Sequence, residues 1–182
     1  LAIHSNIVYA GGDFTNVGGQ PRNRLAAIAA AAPGNLTAWN PDADSTVNAL
    51  AIGNNSTVYA GGVFTTIGGQ PRSRIAALDI AVPGAPTGWA PGANGPINSL
   101  AVGVDGTVYV GGNYTLIGGQ ARTRLAALNP DTGVPTAWNP APIQAVLTIT
   151  ASSYAVYLGG NFSIIDAVRV GYFAMSLTEL TL

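Results

Sequence analysis

Short apolar runs alternate with turn residues along this chain, and the whole pattern repeats about every 50 residues. In the second repeat the pattern predicts strands over residues 47–52, 57–62, 73–79 and 86–90, with equivalents one repeat away. None of these runs reaches the length of a helix, so the pattern predicts an all-β unit with almost no helix. The prolines around the fourth run fit only an edge strand, which places that strand outermost.

Two motifs return in the same phase in successive repeats. Tyr9-Ala10-Gly11-Gly12 recurs with small changes from Tyr59, Tyr109 and Tyr157. Gly18-Gly19-Gln20-Pro21-Arg22 recurs in the second repeat and, with alanine in place of proline, in the third. Four short strands in each repeat of this length predict the blades of a β-propeller. The predicted blades cover residues 1–41, 46–91, 96–140 and 143–182.

Within the second repeat, the residues from Val58 to Leu78 resemble the bacterial delta-60 β-propeller repeat family. Its Tyr-Ala-Gly-Gly and Gly-Gly-Gln-Pro-Arg strings carry the resemblance, which extends over nearly the whole chain. The resemblance is weakest in the fourth repeat, where Asp166-Ala167 stands in place of the glycine pair. It implies part of a secreted or cell-surface bacterial protein with a scaffold or binding role, and it provides no catalytic residues to transfer.

The chain is expected to form one propeller segment of about 3.6 blades over residues 1–182. Propellers usually close with four to eight blades. Three arrangements follow: part of a larger wheel, which we favour, a four-bladed wheel, or partial wheels of two chains that complete each other. Because an open stack leaves apolar blade faces bare, we expect further blades or other protein chains as partners. The lack of an initial methionine adds the expectation that the chain is a piece of a longer one.

Composition excludes several classes of function. Only 8% of the residues are charged, against roughly 25% in ordinary domains, and the net charge is −1, so nucleic acid is not an expected partner. The chain has no cysteine and a single histidine, His4, which argues against thiol chemistry and multi-histidine metal sites. No apolar run approaches the roughly 20 residues of a membrane helix, so membrane insertion is not expected. We also expect no cofactor and no metal.

Six of the seven arginines occur as Arg-x-Arg at one repeat position. A ring of guanidinium groups facing an anionic ligand is one interpretation, because their planar fork suits carboxylates and phosphates. The other interpretation, which we favour, is structural: no acid recurs in every repeat, so the donors are expected to bind backbone carbonyls of turns. These arginines are Arg22, Arg24, Arg72, Arg74, Arg122 and Arg124.

Each of the first three repeats ends on a tryptophan before a proline turn: Trp39, Trp89 and Trp138. Exposed indole rings stack on sugars, and three repeated sites would make a multivalent lectin. The favoured alternative is an indole packed between blades with its N–H hydrogen-bonded. Buried indoles would favour the structural role, and solvent-facing indoles would favour sugar binding.

The acidic residues give little support to catalysis. A glycosidase needs two converging carboxylates, and a calcium site needs several oxygen ligands. Asp42 and Asp44 lie close enough in sequence to contribute to a calcium site, while Asp105-Gly106 indicates a hairpin turn. Because acid–base groups are so few, the sequence predicts a non-enzymatic structural and interaction propeller of an extracellular or cell-surface protein. The alternative is a carbohydrate-binding propeller that uses the three tryptophans.

Overall fold

The computed structural model describes residues 1–81 and 84–165, and beyond them the backbone of two short strands at 168–169 and 173–176. All regular structure in these residues is β, which confirms the all-β prediction. Nowhere in the described part does the chain form a helix with the length and apolar character needed to span a membrane.

Each repeat contributes five strands in the same order. The first repeat contains β1 (Ala2–His4), β2 (Ile7–Gly11), β3 (Asn16–Val17), β4 (Gln20–Pro21) and β5 (Leu25–Ala29). The second contains β6 (Val47–Ile52), β7 (Thr57–Gly62), β8 (Thr66–Ile67), β9 (Gln70–Pro71) and β10 (Ile75–Asp79). The third contains β11 (Ile97–Val102), β12 (Val108–Gly112), β13 (Leu116–Ile117), β14 (Gln120–Ala121) and β15 (Leu125–Leu128). The fourth contains β16 (Val146–Ala151), β17 (Ala155–Gly160), β18 (Ile164–Ile165), β19 (Val168–Arg169) and β20 (Phe173–Ser176).

Three strands of each repeat form an antiparallel sheet, with the second strand in the middle. The strand orders are β1-β2-β5, β6-β7-β10, β11-β12-β15 and β16-β17-β20, and we number these sheets one to four. The other two strands of each repeat form a small separate hairpin. Sequence alone gave the first and second strands of the second repeat with the bounds that the structure has.

The small hairpin was not predicted. Its two strands are only two residues long, and the turn between β8 and β9 is Gly68-Gly69. Both glycines have positive φ, +58° and +70°, as the central residues of a type I′ hairpin turn require. A strand of two residues is too short to show a periodic pattern, so the sequence indicated only a turn here.

The third strand begins later than predicted, at Ile75 rather than residue 73. The cause is Arg74, whose φ of 67° lies in the left-handed region and interrupts the extended backbone. Arg24 and Arg124 have the same conformation at the equivalent positions, with φ of 68° and 63°. The shortened third strand is therefore a feature of the repeat.

The predicted fourth strand over residues 86–90 is not a strand. It is reduced to one antiparallel bridge between Pro86 and Leu78. The Asp79 N–H donates to the Ala85 carbonyl at 3.0 Å, and the Thr87 N–H donates to the Ala77 carbonyl at 2.8 Å. Proline has no N–H to offer a ladder, so the pairing does not extend beyond these two bonds. Each of the first three repeats thus has a three-stranded sheet with a bridged fourth segment, where four strands were expected.

The apolar core lies between sheets and not within any one of them. We call the face of a sheet that meets the preceding repeat its leading face, and the opposite face its trailing face. Trailing-face residues of one sheet and leading-face residues of the next form each of three buried clusters. Between sheets two and three, for example, the trailing residues Ala51, Tyr59, Ile75 and Ala77 meet the leading residues Ile97, Leu100, Val108, Val110 and Leu128.

A glycine of the Tyr-x-Gly-Gly motif makes room for each of these contacts. A Cβ atom added to Gly61 would lie 2.5 Å from Cγ2 of Ile97 and 3.3 Å from Cδ1 of Leu100. The same leading-face pair meets Gly11 and Gly111, as Val47 with Leu50 and as Val146 with Ile149. The glycine therefore forms a socket, and two apolar side chains of the following sheet fill it.

Within the described residues, sheets one and four do not close into a ring. None of the three clusters brings leading residues of sheet one against trailing residues of sheet four, as far as the structure describes the chain. The blade count of 3.6 and the blade boundaries stay predictions.

Gly61→Ala should destabilise the protein by roughly 1–3 kcal/mol, because the new methyl group overpacks the contact with Ile97. Gly88→Ala is the matched control, since an added Cβ there meets nothing within 4 Å, and its effect should stay within about 0.5 kcal/mol. Urea unfolding of both variants measures the difference. Equal stabilities for the two variants would show that the socket is not tightly filled.

Candidate functional site

The first arginine of each Arg-x-Arg pair joins two segments of its own repeat. One terminal nitrogen of Arg72 donates to the Pro71 carbonyl at 2.8 Å, and the other donates to the Thr87 carbonyl at 2.7 Å. The guanidinium group thus ties the small hairpin to the bridged fourth segment. The equivalent bonds run from Arg22 to Pro21 and Thr37, and from Arg122 to Ala121 and Thr136.

The second arginine of each pair lies where the chain leaves the hairpin for the third strand. Its left-handed backbone directs the Arg74 N–H to the Phe64 carbonyl at 2.9 Å, while its carbonyl accepts the Gly62 N–H at 2.9 Å. Its side chain donates to the Ala93 carbonyl at 2.8 Å, in the segment that leads into the next repeat. Arg124 makes the equivalent bond to the Pro142 carbonyl at 3.3 Å.

Arg24 departs from this pattern because an acid lies beside it. Its Nε is 3.1 Å from Oδ1 of Asp13, and a terminal nitrogen donates to the Phe14 carbonyl at 3.2 Å. Asp13 is replaced by Val63 in the second repeat and by Asn113 in the third. All six arginines therefore direct donors at backbone carbonyls, which supports their structural role. That role stays a prediction until binding and stability are measured.

Arg74→Ala should lower stability by roughly 1–3 kcal/mol, because the part-buried Ala93 carbonyl loses a charged donor. Arg74→Gly loses the same hydrogen bond but tolerates the left-handed backbone better, so it should be about 1 kcal/mol more stable than the alanine variant. Thermal and urea unfolding measure both differences. An alanine variant with parental stability that had lost binding to phosphate or carboxylate ligands would support the anion-binding ring instead.

The tryptophans lie between consecutive sheets. The Trp89 ring packs against Tyr59 in a T-shaped arrangement, with centroids 5.0 Å apart. Its indole N–H donates to the Asn129 carbonyl at 3.1 Å, at the end of the third strand of the following repeat. Trp39 packs on Tyr9 and donates to the Asp79 carbonyl at 3.4 Å. Both indoles are buried, and this favours the structural interpretation over sugar stacking.

Trp138 repeats part of this arrangement at the junction with the fourth repeat. It packs on Tyr109 with centroids 5.4 Å apart, and it is half-buried. Its indole N–H has no hydrogen-bond partner among the described residues. The acceptor position corresponding to Asn129 falls outside the residues that the structure describes. The tryptophan roles also stay predictions.

Asp44, one of the two acids considered for calcium, caps the loop before β8. Its carboxylate accepts the Thr65 N–H at 2.9 Å and the Thr65 hydroxyl at 2.6 Å. Slight burial acts to raise the pKa of Asp44, but the bonds from Thr65 and Thr66 outweigh it and lower the pKa overall. Asn94 takes this place in the third repeat and accepts the Thr115 and Leu116 N–H groups. An amide fills the same role, so a cap explains the residue without calcium.

No group of three or more histidine, cysteine or acidic side chains is placed to hold a metal ion in the described ranges. Asp105 caps its own hairpin turn, as the sequence indicated, with its two oxygens accepting the Thr107 N–H and hydroxyl. The expected absence of metals and cofactors stays a prediction.

A groove of about 300 Å³ opens between sheets two and three beside Trp89. The polar residues along it are Asn55, Thr57, Tyr59, Thr87 and Asp131. It shares Asn55, Tyr59 and Asp131 with a neighbouring depression of about 240 Å³ that Asp105 also lines. One carboxylate, an amide and several hydroxyl groups can together bind the hydroxyls of a small polar ligand.

Electrostatics keep the phenol in this groove neutral. Burial, and then the negative charge of Asp131, raise the pKa of Tyr59 above its ordinary value. Tyr59 is therefore a hydrogen-bonding group and not a base at neutral pH. The sequence reading missed the groove, since Asn55, Thr87 and Asp131 come from three separate segments. Only the repeat alignment offers a signal: Asp131 is acidic where the second repeat has Ala81.

Parts of the chain match the model of a known protein family. Residues 7–26 and 105–131 match the family described as Domain of unknown function (DUF5122) beta-propeller. No curated protein matches the chain. The match and the all-β fold together support a β-propeller family for this chain.

Proposed function

We propose that this chain is a non-catalytic structural and interaction module, whose blade faces assemble with further blades or with other protein chains. The observation that carries this proposal is the construction of the core. Every core cluster lies between two sheets, so a sheet without a neighbour on one side leaves an apolar face uncovered. Faces of this kind are characteristic of protein–protein contact.

We place the module in an extracellular or cell-surface bacterial protein of the delta-60 repeat type. The support is the motif resemblance, in particular Gly68-Gly69-Gln70-Pro71-Arg72 after the Tyr-Ala-Gly-Gly string. The structure shows what these motif residues do in the fold. The glycine pair makes the type I′ turn, and Arg72 ties that turn to the fourth segment. The blades would join as parts of a larger wheel.

The few acid–base groups, and the contacts that they make, support a non-catalytic role. Asp44 and Asp105 hold backbone and threonine groups in turns. The arginines are directed at carbonyl oxygens, as described above. General acid–base catalysis needs a positioned group with a suitable pKa. Because these acids and arginines are engaged in turns and backbone contacts, few side chains are left that could serve as a general acid or base.

A second candidate function is carbohydrate binding, which one observation favours. The groove between sheets two and three combines the Asp131 carboxylate with the Asn55 amide and two threonine hydroxyls, next to the largely buried rings of Tyr59 and Trp89. Sugar hydroxyls are bound by groups of this kind. The three tryptophans support this candidate less, because Trp39 and Trp89 are buried and cannot stack on a sugar.

Two measurements on the purified chain test these proposals. An apolar-surface dye such as ANS should fluoresce with the native chain at low protein concentration, because blade faces are uncovered. A glycan array should retain none of the chain. A native chain that does not bind the dye would contradict the interaction module. A glycan that binds the Asp42→Ala control but not the Asp131→Ala variant would support the carbohydrate-binding function instead of the interaction module.

A further inference from the structure

The groove between sheets two and three lies at a place that apolar side chains occupy between sheets one and two. Strand registers, fourth-segment bridges and the two indole hydrogen bonds align the residues of these junctions. At the first junction, Ile7 and Ile80 pack against the core cluster. At the second junction, Thr57 and Pro130 occupy the same two positions and line the groove. A threonine and a proline thus replace two isoleucines along the groove.

Two further positions along the groove depart from the repeat. Gly88 stands where the first and third repeats have Ala38 and Ala137. Packing does not require this glycine, since an added Cβ atom would meet nothing within 4 Å, and its φ is not in the left-handed region. Asp131 stands where the second repeat has Ala81. The departures at this junction therefore leave open space and add one negative charge.

The carboxylate of Asp131 is free to bind a ligand. Four other aspartates of the described residues use their carboxylates in hydrogen bonds within the chain: Asp13, Asp44, Asp79 and Asp105. The Asp131 carboxylate accepts no hydrogen bond and forms no salt bridge in that part of the chain. Its loop is nevertheless held in place, because the side-chain oxygen of Asn129 accepts the Asp131 N–H at 2.9 Å.

The groups around this carboxylate are neutral or negative. The neutral polar side chains along the groove are Asn55, Thr57, Tyr59 and Thr87. Burial, and then the charge of Asp131, raise the pKa of Tyr59, so its phenol stays neutral. The adjoining depression adds the charge of Asp105. Among the described residues no arginine or histidine lines either depression, although Arg72 is bonded to the Thr87 carbonyl from its own position.

We propose that this groove binds a basic side chain of a partner protein, the ammonium group of a lysine or the guanidinium group of an arginine. Both groups donate hydrogen bonds and accept none, so they match carboxylate, amide and hydroxyl oxygens. A volume of about 300 Å³ is at the lower end for ligand sites and fits one side chain. A neutral sugar would leave the two carboxylates without a counter-charge. The inference rests on the proposed interaction module, because it gives the chemistry of one contact with a partner.

Amide NMR shifts of the full chain test the proposal. The probes are N-acetyl-lysine methylamide and N-acetyl-arginine methylamide in separate titrations, and the tighter of the two identifies the preferred cation. Saturable shifts are expected at the amides that line the groove: Asn55, Thr57, Gly88 and Asp131. The internal control is the set of equivalent amides at the first junction, which should not move: Ile7, Ala38 and Ala81. N-acetyl-norleucine methylamide, which has an aliphatic stem without the charge, should cause no shift.

A pair of charge-removing variants separates the groove from the general charge of the chain. Asp131→Asn should weaken cation binding roughly tenfold, because a charged acceptor becomes neutral with little change of shape. Asp42→Asn is the matched control and should bind like the parent. Asp42 is also exposed and lines neither depression, and asparagine tolerates its φ of 55°. Higher salt should weaken binding by the parent, since salt screens exposed charges.

Three results would overturn the proposal. One is the lack of a saturable shift with either cation, and another is equal binding by the parent and Asp131→Asn. The third is a shift of the groove amides with methyl α-glucopyranoside and with neither cation, which would favour the carbohydrate-binding function. The ANS measurement reports on the blade faces and not on this groove. Failure of this proposal and failure of the interaction module are therefore distinguishable.

Discussion

The packing of one repeat against the next is the interaction on which this structure depends. A sheet of three short strands, rich in alanine and glycine, is too small to bury both of its faces by itself. The repeat solves this by placing a glycine where two apolar side chains of the following sheet enter, as Ile97 and Leu100 do at Gly61. Stability is therefore a property of pairs of repeats. A sheet with no neighbouring repeat on one side would therefore leave an apolar face uncovered.

Arginine and tryptophan side chains make hydrogen bonds that link the fourth segments to the segments around them. The fourth segment cannot form a full strand because of its prolines, so side chains attach it instead. Arg72 binds the carbonyl of Thr87, and the indole of Trp89 reaches the next repeat at Asn129. Arg74 keeps a left-handed backbone that most side chains avoid, and its guanidinium group contacts the segment entering the following repeat. The residue types that suggested ligand binding thus make contacts between segments, as the structural interpretation expects.

The sequence predicted strand bounds best where an apolar run is bounded by turn residues. The bounds of β6 and β7 follow from apolar runs ending in glycine and asparagine. The start of β10 could not be predicted in this way, because nothing in the sequence shows that Arg74 has a left-handed backbone. The fourth strand was over-predicted since Thr87 and Trp89 favour strands, while Pro86 limits the pairing to one bridge. The groove was missed because Asn55, Thr87 and Asp131 meet only through the contact between two sheets.

The central claim is that each added contact between sheets adds stability. Inserting a second copy of residues 91–139 directly after Asn139 preserves the repeat phase, because Pro91 and Pro140 occupy equivalent positions. Urea unfolding of this longer chain, compared with the parent at equal low concentration, measures the effect. The account predicts a higher free energy of unfolding and a larger dependence on urea, since one more apolar interface is buried. An unchanged or lower free energy of unfolding would contradict it.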